Sequence, residues 1–289
     1  MDNAKPKVNT RVDAQSSFLY AVPTLTFPEL DTETNVRAMA EFAPCIEVTL
    51  DYGFNLPLTD DLVRRLVAAK EELGLEYTVH LPLTINLASL NDLVREASVE
   101  TVRRVLVAAR PLEARAYALH VTPIYKPEGS SLGEEFAHKQ LKQVLGVARE
   151  SLEKLLPLVG NPRRLCVENI WASLYLLYEE VVRPLDLGVC LDLGHLLLDS
   201  KSPVEYLRLY RDQLEHIHLH DVVNGRDHLP LGSESGTLDL DGVVQTLFEL
   251  DYQGVVVHEL FHVEHIKQSL STFRKAIERA ETARRGAAR

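Results

Sequence analysis

The segment "LEHIHLHDVVNGRDHLPLG" (214–232) carries four of the chain's eleven histidines, and the reading of its first half decides the fold. His216, His218 and His220 alternate with Ile217 and Leu219, the period-2 pattern of a strand whose successive side chains face opposite ways. After Asp221 the chain breaks into "NGRDH". A segment of helical period follows near 240–250, and then a new apolar run, "GVVVHELF", starts at Gly254. Strand, loop, helix and strand make a βα unit, the building block of a parallel sheet.

The same unit recurs along the chain. Six further runs read as strands: "FLYAVPTLTF" from Phe18, "CIEVTL" from Cys45, "YTVHLPL" from Tyr77, "AYALHVT" from Ala116, "LCVEN" from Leu165 and "LGVCLDLGH" from Leu187, making eight with "HIHLH" from His216 and "GVVVHELF". Between them, "TDDLVRRLVAAKEELG" (59–74) reads as a helix started by Asp60 and Asp61 and stopped by Gly74, with Leu62, Leu66, Ala69 and Leu73 on one apolar stripe. Further helices are predicted near 93–110, 135–156, 203–211, 240–250 and 263–284. Eight βα units in one run predict an α/β fold of the (β/α)8 TIM-barrel type, with the C-terminal strand ends as the reactive face. A single domain is expected over 18–289, after a flexible segment at 1–17. Two connections are long, "TPIYKPEGSSLGEE" (122–135) and "DVVNGRDHLPLGSESGTLDLD" (221–241). Both follow strand C-termini and should overhang the barrel mouth as lids or substrate-binding elements.

Composition narrows the partners. With 46% hydrophobic and 25% charged residues, the chain suits a globular protein with a large core. Its formal net charge of −11 disfavours duplex nucleic acid, whose binding draws on Lys and Arg neutralising phosphates. Residues 1–17 lack the apolar run of a signal peptide, and no stretch is apolar enough to span a membrane. Cys45, Cys166 and Cys190 lie in apolar runs without paired spacing, so they read as reduced core residues of a cytoplasmic protein. A small-molecule substrate is expected, with neither duplex nucleic acid nor membrane as partner.

The chemistry concentrates at the strand ends. His80, His120, Glu168, Asp192, His218 and Glu259 each lie at or near the C-terminal end of a proposed strand, from the third to the eighth. Buried carboxylates are costly without cations or protons nearby, and a divalent metal held by imidazole and carboxylate removes that cost, zinc being well suited. His195 falls three residues past Asp192 and can face the same mouth. Asp227 and His228 join from the seventh loop. His216 lies one pleat deeper, as a core residue or one that holds a ligand in orientation, while His220 stays open. His258 should pack under a helix on the opposite face from Glu259, and His138, His262 and His265 read as surface groups.

The series "VHLPL", "LHVT", "VENIW", "CLDLGHLLL", "IHLHD", "GRDHLPLG" and "VVHELF" resembles the xylose-isomerase-like barrel superfamily, in particular its zinc-dependent apurinic-site endonucleases, from about Phe18 to the last helix. The resemblance implies up to three zinc ions. His80, His120 and Glu168 would hold one; Glu168 would bridge to a second held by Asp192, His218 and Glu259; His195 and His228 would hold the third. The endonucleases place an Asp and a His one residue apart at that third site, whereas here Asp227 and His228 are adjacent. Within the superfamily the motif order is most similar to the cobamide-remodelling phosphodiesterases, which cut the nucleotide-loop phosphodiester of cobalamin-like corrinoids. The start "AVPTLTF" departs from the "GTTS"-like start of that group.

These readings predict a metal-dependent phosphodiesterase acting on a cobamide with two or three divalent ions, zinc or manganese. Glu168, Glu259 and His228 are its candidate catalytic groups, and Arg226 is a candidate bidentate partner of a phosphate oxygen. The main rival is a sugar isomerase or epimerase using Glu168, Asp192, His218 and Glu259 around one Mn or Mg. That reading leaves His120 and His228 without tasks. An apurinic-site endonuclease and a corrinoid-binding protein without turnover are the remaining alternatives.

Overall fold

The computed structural model describes residues 17–27, 29–51, 55–121, 134–170 and 174–287. Residues 1–16 and 122–133, which include most of the expected flexible start and of the long fourth connection, lie outside the described residues. Eight parallel strands close into a barrel: β1 (Leu19–Pro23), β2 (Cys45–Thr49), β3 (Glu76–His80), β4 (Tyr117–Leu119), β5 (Leu165–Glu168), β6 (Gly188–Asp192), β7 (Leu214–Leu219) and, after a two-stranded insertion, β10 (Val255–His258), which pairs with β1. The insertion is an antiparallel hairpin of β8 (Asp221–Val223) and β9 (Arg226–Leu229).

Helices fill the outer ring: α1 (Thr32–Met39), α2 (Asp60–Leu73), α3 (Asp92–Ala109), α4 (Glu134–Val159), α5 (Leu174–Leu177), α6 (Leu193–Leu198), α7 (Pro203–Leu209), α8 (Leu240–Glu249) and α9 (Val263–Ala287). The capping chemistry is local. The Thr59 side chain accepts the Leu62 N–H at the start of α2, and Gly74 ends it at φ 65°, where a side chain would be strained. The stripe predicted for α2 is corrected: Val63, Leu66 and Ala69 are buried, whereas Leu62 is half-buried and Leu73 is 41% exposed because it lies in the last turn beyond the barrel wall.

Three other expectations shift. β1 stops at Pro23 rather than running to Phe27, and Thr24–Thr26 form a 3-10 turn. "LGVCLDLGH" is strand only to Asp192, after which α6 begins, because the Asp192 side chain caps it by accepting the His195 N–H at 2.7 Å. The seventh connection begins as a hairpin: Asn224 and Gly225, at φ 52° and 75°, make the two-residue turn between β8 and β9.

Along each strand, one face packs under the helices. Ile46, Val48, Tyr77, Val79, Val167, Leu191, Ile217 and Val256 belong to the large core there. The alternate residues face the barrel axis. Ala21, Cys45, Val255 and Val257 form one small interior group, and Ala116, Ala118, Cys166 and Cys190 form another. All three cysteines are free and buried, as expected. Their small size leaves axial volume for large polar groups, and Glu47, His216 and His218 fill it, all essentially without solvent exposure.

Candidate metal centre

Every expected strand-end ligand reaches one mouth. His80 from β3 and His120 just past β4 direct Nε2 at the same oxygen of Glu168 from β5, at 3.3 and 2.9 Å. The His80 Nδ1–H is committed to the Leu81 carbonyl at 2.8 Å, which leaves Nε2 as its lone-pair atom. The other Glu168 oxygen lies 3.4 Å from His218 Nδ1. That nitrogen is also 3.2 Å from Glu259 Oε2 and 3.9 Å from Asp192 Oδ2. Glu168 therefore offers one oxygen to each of two neighbouring groups of donors.

A third group forms around Asp192, His195, His220 and His228. The Asn169 side chain fixes the end of β6 by accepting the Asp192 N–H at 2.7 Å and donating to its carbonyl at 2.9 Å. His195 donates from Nδ1 to the Asn169 carbonyl at 3.0 Å, and its Nε2 lies 4.0 Å from Asp227 Oδ2. His228, on β9, sits 3.4 Å from Glu259 Oε2 through Nε2 and 3.2 Å from Asp227 Oδ1 through Nδ1. Adjacent Asp227 and His228 both face the centre because His228 adopts φ 52°, a kink that turns two neighbours the same way. Arg226 is exposed beside the hairpin turn.

His220, left open by the sequence, has both ring nitrogens engaged. Its Nδ1 accepts the His228 backbone N–H at 3.0 Å, which places the ring proton on Nε2, 3.2 Å from Asp192 Oδ2. Its ring stacks on His228 at 4.3 Å, and His228 stacks in turn on Phe261 at 4.9 Å. His220 thus ties the hairpin to Asp192. Glu47 is the residue that sequence reasoning missed: it is 1% exposed on β2, accepts from His216 Nε2 at 2.8 Å and Thr78 Oγ1 at 3.2 Å, and lies 3.4 Å from His218 Nε2. A glutamate on the inward face of "CIEVTL" was the available signal. His258 packs edge-on against Phe273 of α9, as expected. His262 is exposed and His265 half-buried. The His138 side chain lies outside the described ones.

The electrostatics are those of a centre short of cations. Burial disfavours charge on Glu168, Glu259 and Asp192, yet surrounding imidazoles pull all three carboxyls below the ordinary range, the first two well below it. Burial also opposes protonation of His80 and His228, but Glu168 raises the first and Glu259 the second, each to about 9. Glu47 is likewise held well below the usual range by His218 and His216 against the effect of burial. Both ring nitrogens of His218, and Oε2 of Glu259, are buried without a properly formed hydrogen bond. Orphaned donors of this kind, beside clustered carboxylates, fit a site that binds divalent ions.

Among proteins of similar sequence, the uncharacterized protein MJ1311 of Methanocaldococcus jannaschii is 26% identical over 94% of this chain and 95% of its own length. The uncharacterized protein MJ1188 of the same organism is 25% identical over 86% and 88%. A solved D-tagatose 3-epimerase-like protein shares the fold at a TM-score of 0.75 and 22% identity, covering 92% of this chain and 99% of that one. An L-ribulose 3-epimerase does so at 0.73 and 14%, covering 94% and 98%. The two solved structures are, by their names, of the class of the rival reading, and the two relatives of similar sequence are uncharacterized. The family described as a xylose isomerase-like TIM barrel matches residues 36–283, most of the chain, and to that family this protein belongs.

Proposed function

We propose that the chain is a metal-dependent phosphodiesterase, and that its substrate is a cobamide. The observation that carries the first part is Glu168, whose two oxygens face separate donor groups, His80 with His120 on one side and His218 on the other. A carboxylate so placed suits two ions side by side. A single-ion enzyme would use Glu168, Asp192, His218 and Glu259 and leave His120 and His228 without tasks. The cobamide rests on the motif order alone.

In this reading His80, His120 and Glu168 would hold one ion, and Glu168, Asp192, His218 and Glu259 would hold a second. His195, His228 and Asp227 gather where a third would sit. Zinc suits the imidazole-rich donor set, and manganese is the alternative. When bound, such ions lower the pKa of water toward about 7 and withdraw charge from phosphoryl oxygens. Glu168 fixes the spacing of the two donor groups. Glu259, part-buried and facing both His218 and His228, is placed to accept a proton at the mouth. His228 presents its ring from the hairpin above that proton acceptor, and Arg226 can reach a phosphate oxygen from the same hairpin. The free cysteines agree with a reducing, cytoplasmic setting, and no helix among the described residues is long and apolar enough to cross a membrane. The acidic balance supports a small-molecule partner over duplex nucleic acid.

A second reading, a single-ion sugar epimerase, is favoured by the fold likeness to sugar epimerases and by the compact group of Glu168, Asp192, His218 and Glu259. In it the two glutamates move protons at a ketose carbon. Elemental analysis of the purified protein, with mass spectrometry of reactions on adenosylcobalamin and on a ketose panel, separates the two. Two or more ions with cobinamide-type and ribazole-type products are expected, and Glu168→Gln should abolish the products and lower the bound metal. One ion, intact cobalamin and an epimerised ketose would replace the first reading with the second.

A further inference from the structure

We infer that Glu47 is a positioning residue for the metal centre, holding His218 so that Nδ1 is presented to the ion. This rests on the metal-centre part of the proposed function and not on the substrate. His218 is buried, with its two nitrogens facing opposite ways along the barrel axis. Nδ1 faces the carboxylates of Glu168, Asp192 and Glu259 at 3.4, 3.9 and 3.2 Å. Nε2 faces inward, 3.4 Å from Glu47 Oε1. A neutral imidazole carries one proton, and only its bare nitrogen binds a metal. With an ion at Nδ1 the ring's one proton sits on Nε2, where Glu47 Oε1, 3.4 Å away, is placed to accept it.

Glu47 is itself held from below. His216 Nε2 donates to its Oε2 at 2.8 Å, and the Thr78 hydroxyl donates to the same oxygen at 3.2 Å. Thr78 sits beside Glu47 in the β2–β3 register, so both are placed by the barrel wall. One oxygen is thereby anchored, and the other is turned toward His218. The small axial residues Cys45 and Cys190 make room for this arrangement. An acceptor behind a metal-binding imidazole orients the ring and raises its basicity, and its loss commonly weakens metal binding about 10- to 100-fold.

Glu47→Gln keeps the shape and changes the chemistry. An amide offers one acceptor oxygen and one donor nitrogen, so one of the two facing imidazole N–H groups meets a donor. Two donors, His216 Nε2 and the Thr78 hydroxyl, converge on Oε2, so the amide oxygen stays there, the amide nitrogen faces His218, and the His218 proton is driven to Nδ1, the atom the ion needs. Chelator-stripped protein would be titrated with zinc against a chromophoric competitor, and with cobalt(II) followed by its visible spectrum. Expected is a weakening of about 10- to 100-fold at one site with an altered cobalt spectrum, while melting of the metal-free protein changes little. Wild-type affinity and spectrum in Glu47→Gln would overturn the inference and leave the metal centre standing. Absence of bound metal in the wild type would remove both. Should Glu47→Gln fail to fold, zinc-loaded wild-type protein labelled with nitrogen-15 gives the answer directly. A proton on His218 Nε2 with none on Nδ1 is expected, and a proton on Nδ1 overturns the inference.

Discussion

Gly194 sits in the first turn of α6, where its backbone is ordinary helix, so alanine should be tolerated or mildly favoured there. The gain from Gly→Ala within a helix is up to about 1 kcal/mol. The surroundings reverse the sign. A Cβ on Gly194 would lie 1.9 Å from Cε1 of His220 and 2.3 Å from its Nδ1, a ring wedged between Asp192 and the hairpin. The ring must move, which costs about 1–3 kcal/mol in over-packing. It also gives up a buried hydrogen bond to a charged acceptor worth about 1.5–3 kcal/mol. Gly194→Ala is therefore expected to destabilise by roughly 1.5–5 kcal/mol net of the helix gain. In a His220→Ala background, the same change should be neutral or stabilise by up to about 1 kcal/mol, because the obstacle is gone. Urea denaturation of the four proteins in the cycle measures this directly. Equal effects of Gly194→Ala in both backgrounds would refute the account of His220 as a ring packed against that glycine.

Two further outcomes follow from the charge arrangement. In the metal-free protein His80 and His228 hold protons up to about pH 9, and an incoming ion must expel them. Affinity for zinc should therefore rise with pH through the neutral range, by up to about tenfold per unit for each of the two histidines that ligates, and level off near their pKa values. Chelator competition across that range checks this, and a flat profile would mean neither histidine ligates. His258 is fully buried beside Phe273, and burial, with Arg274 nearby, pushes it down to about 3. Its folded pKa lies below its unfolded one, so its contribution is complete above the unfolded value and is lost as pH falls toward the folded one. Between about pH 7 and about pH 5 this amounts to about 2 kcal/mol of stability. His258→Phe should remove that part of the acid sensitivity, read as the difference in unfolding free energy at the two pH values. An unchanged difference would contradict it.

The barrel was legible because its strands alternate with amphipathic helices, and because a ligand at or next to a strand's C-terminal end needs no tertiary information to be placed at the mouth. Glu168, Asp192 and Glu259 were visible on that ground alone. Glu47 was harder. It lies in the middle of "CIEVTL", where only its partners across the barrel, His216 and Thr78, explain a buried carboxylate. The β8–β9 hairpin was written in Asn224-Gly225, a two-residue turn signal, but the surrounding polar residues suggested a loop. α6 was hidden inside an apolar run because Asp192 serves both as the last residue of β6 and as the cap of the helix. Asp227 and His228 are adjacent, and neighbours on an extended chain face opposite ways; the positive φ of His228, which sequence does not announce for histidine, brings the two side chains together.

Barrel closure through β10 and β1 also bears on how the protein matures in the cell. Glu259 lies just past the last strand, so no nascent fragment ending before it holds the full donor set. An ion at the complete centre can therefore act only on the finished ring, as a late-acting ligand of the native state. At a free concentration a hundred times its dissociation constant it would add about 2.7 kcal/mol to native stability. Scarcity of metal would then lower the amount of intact protein as well as its turnover, so cellular abundance would itself report the supply of the ion.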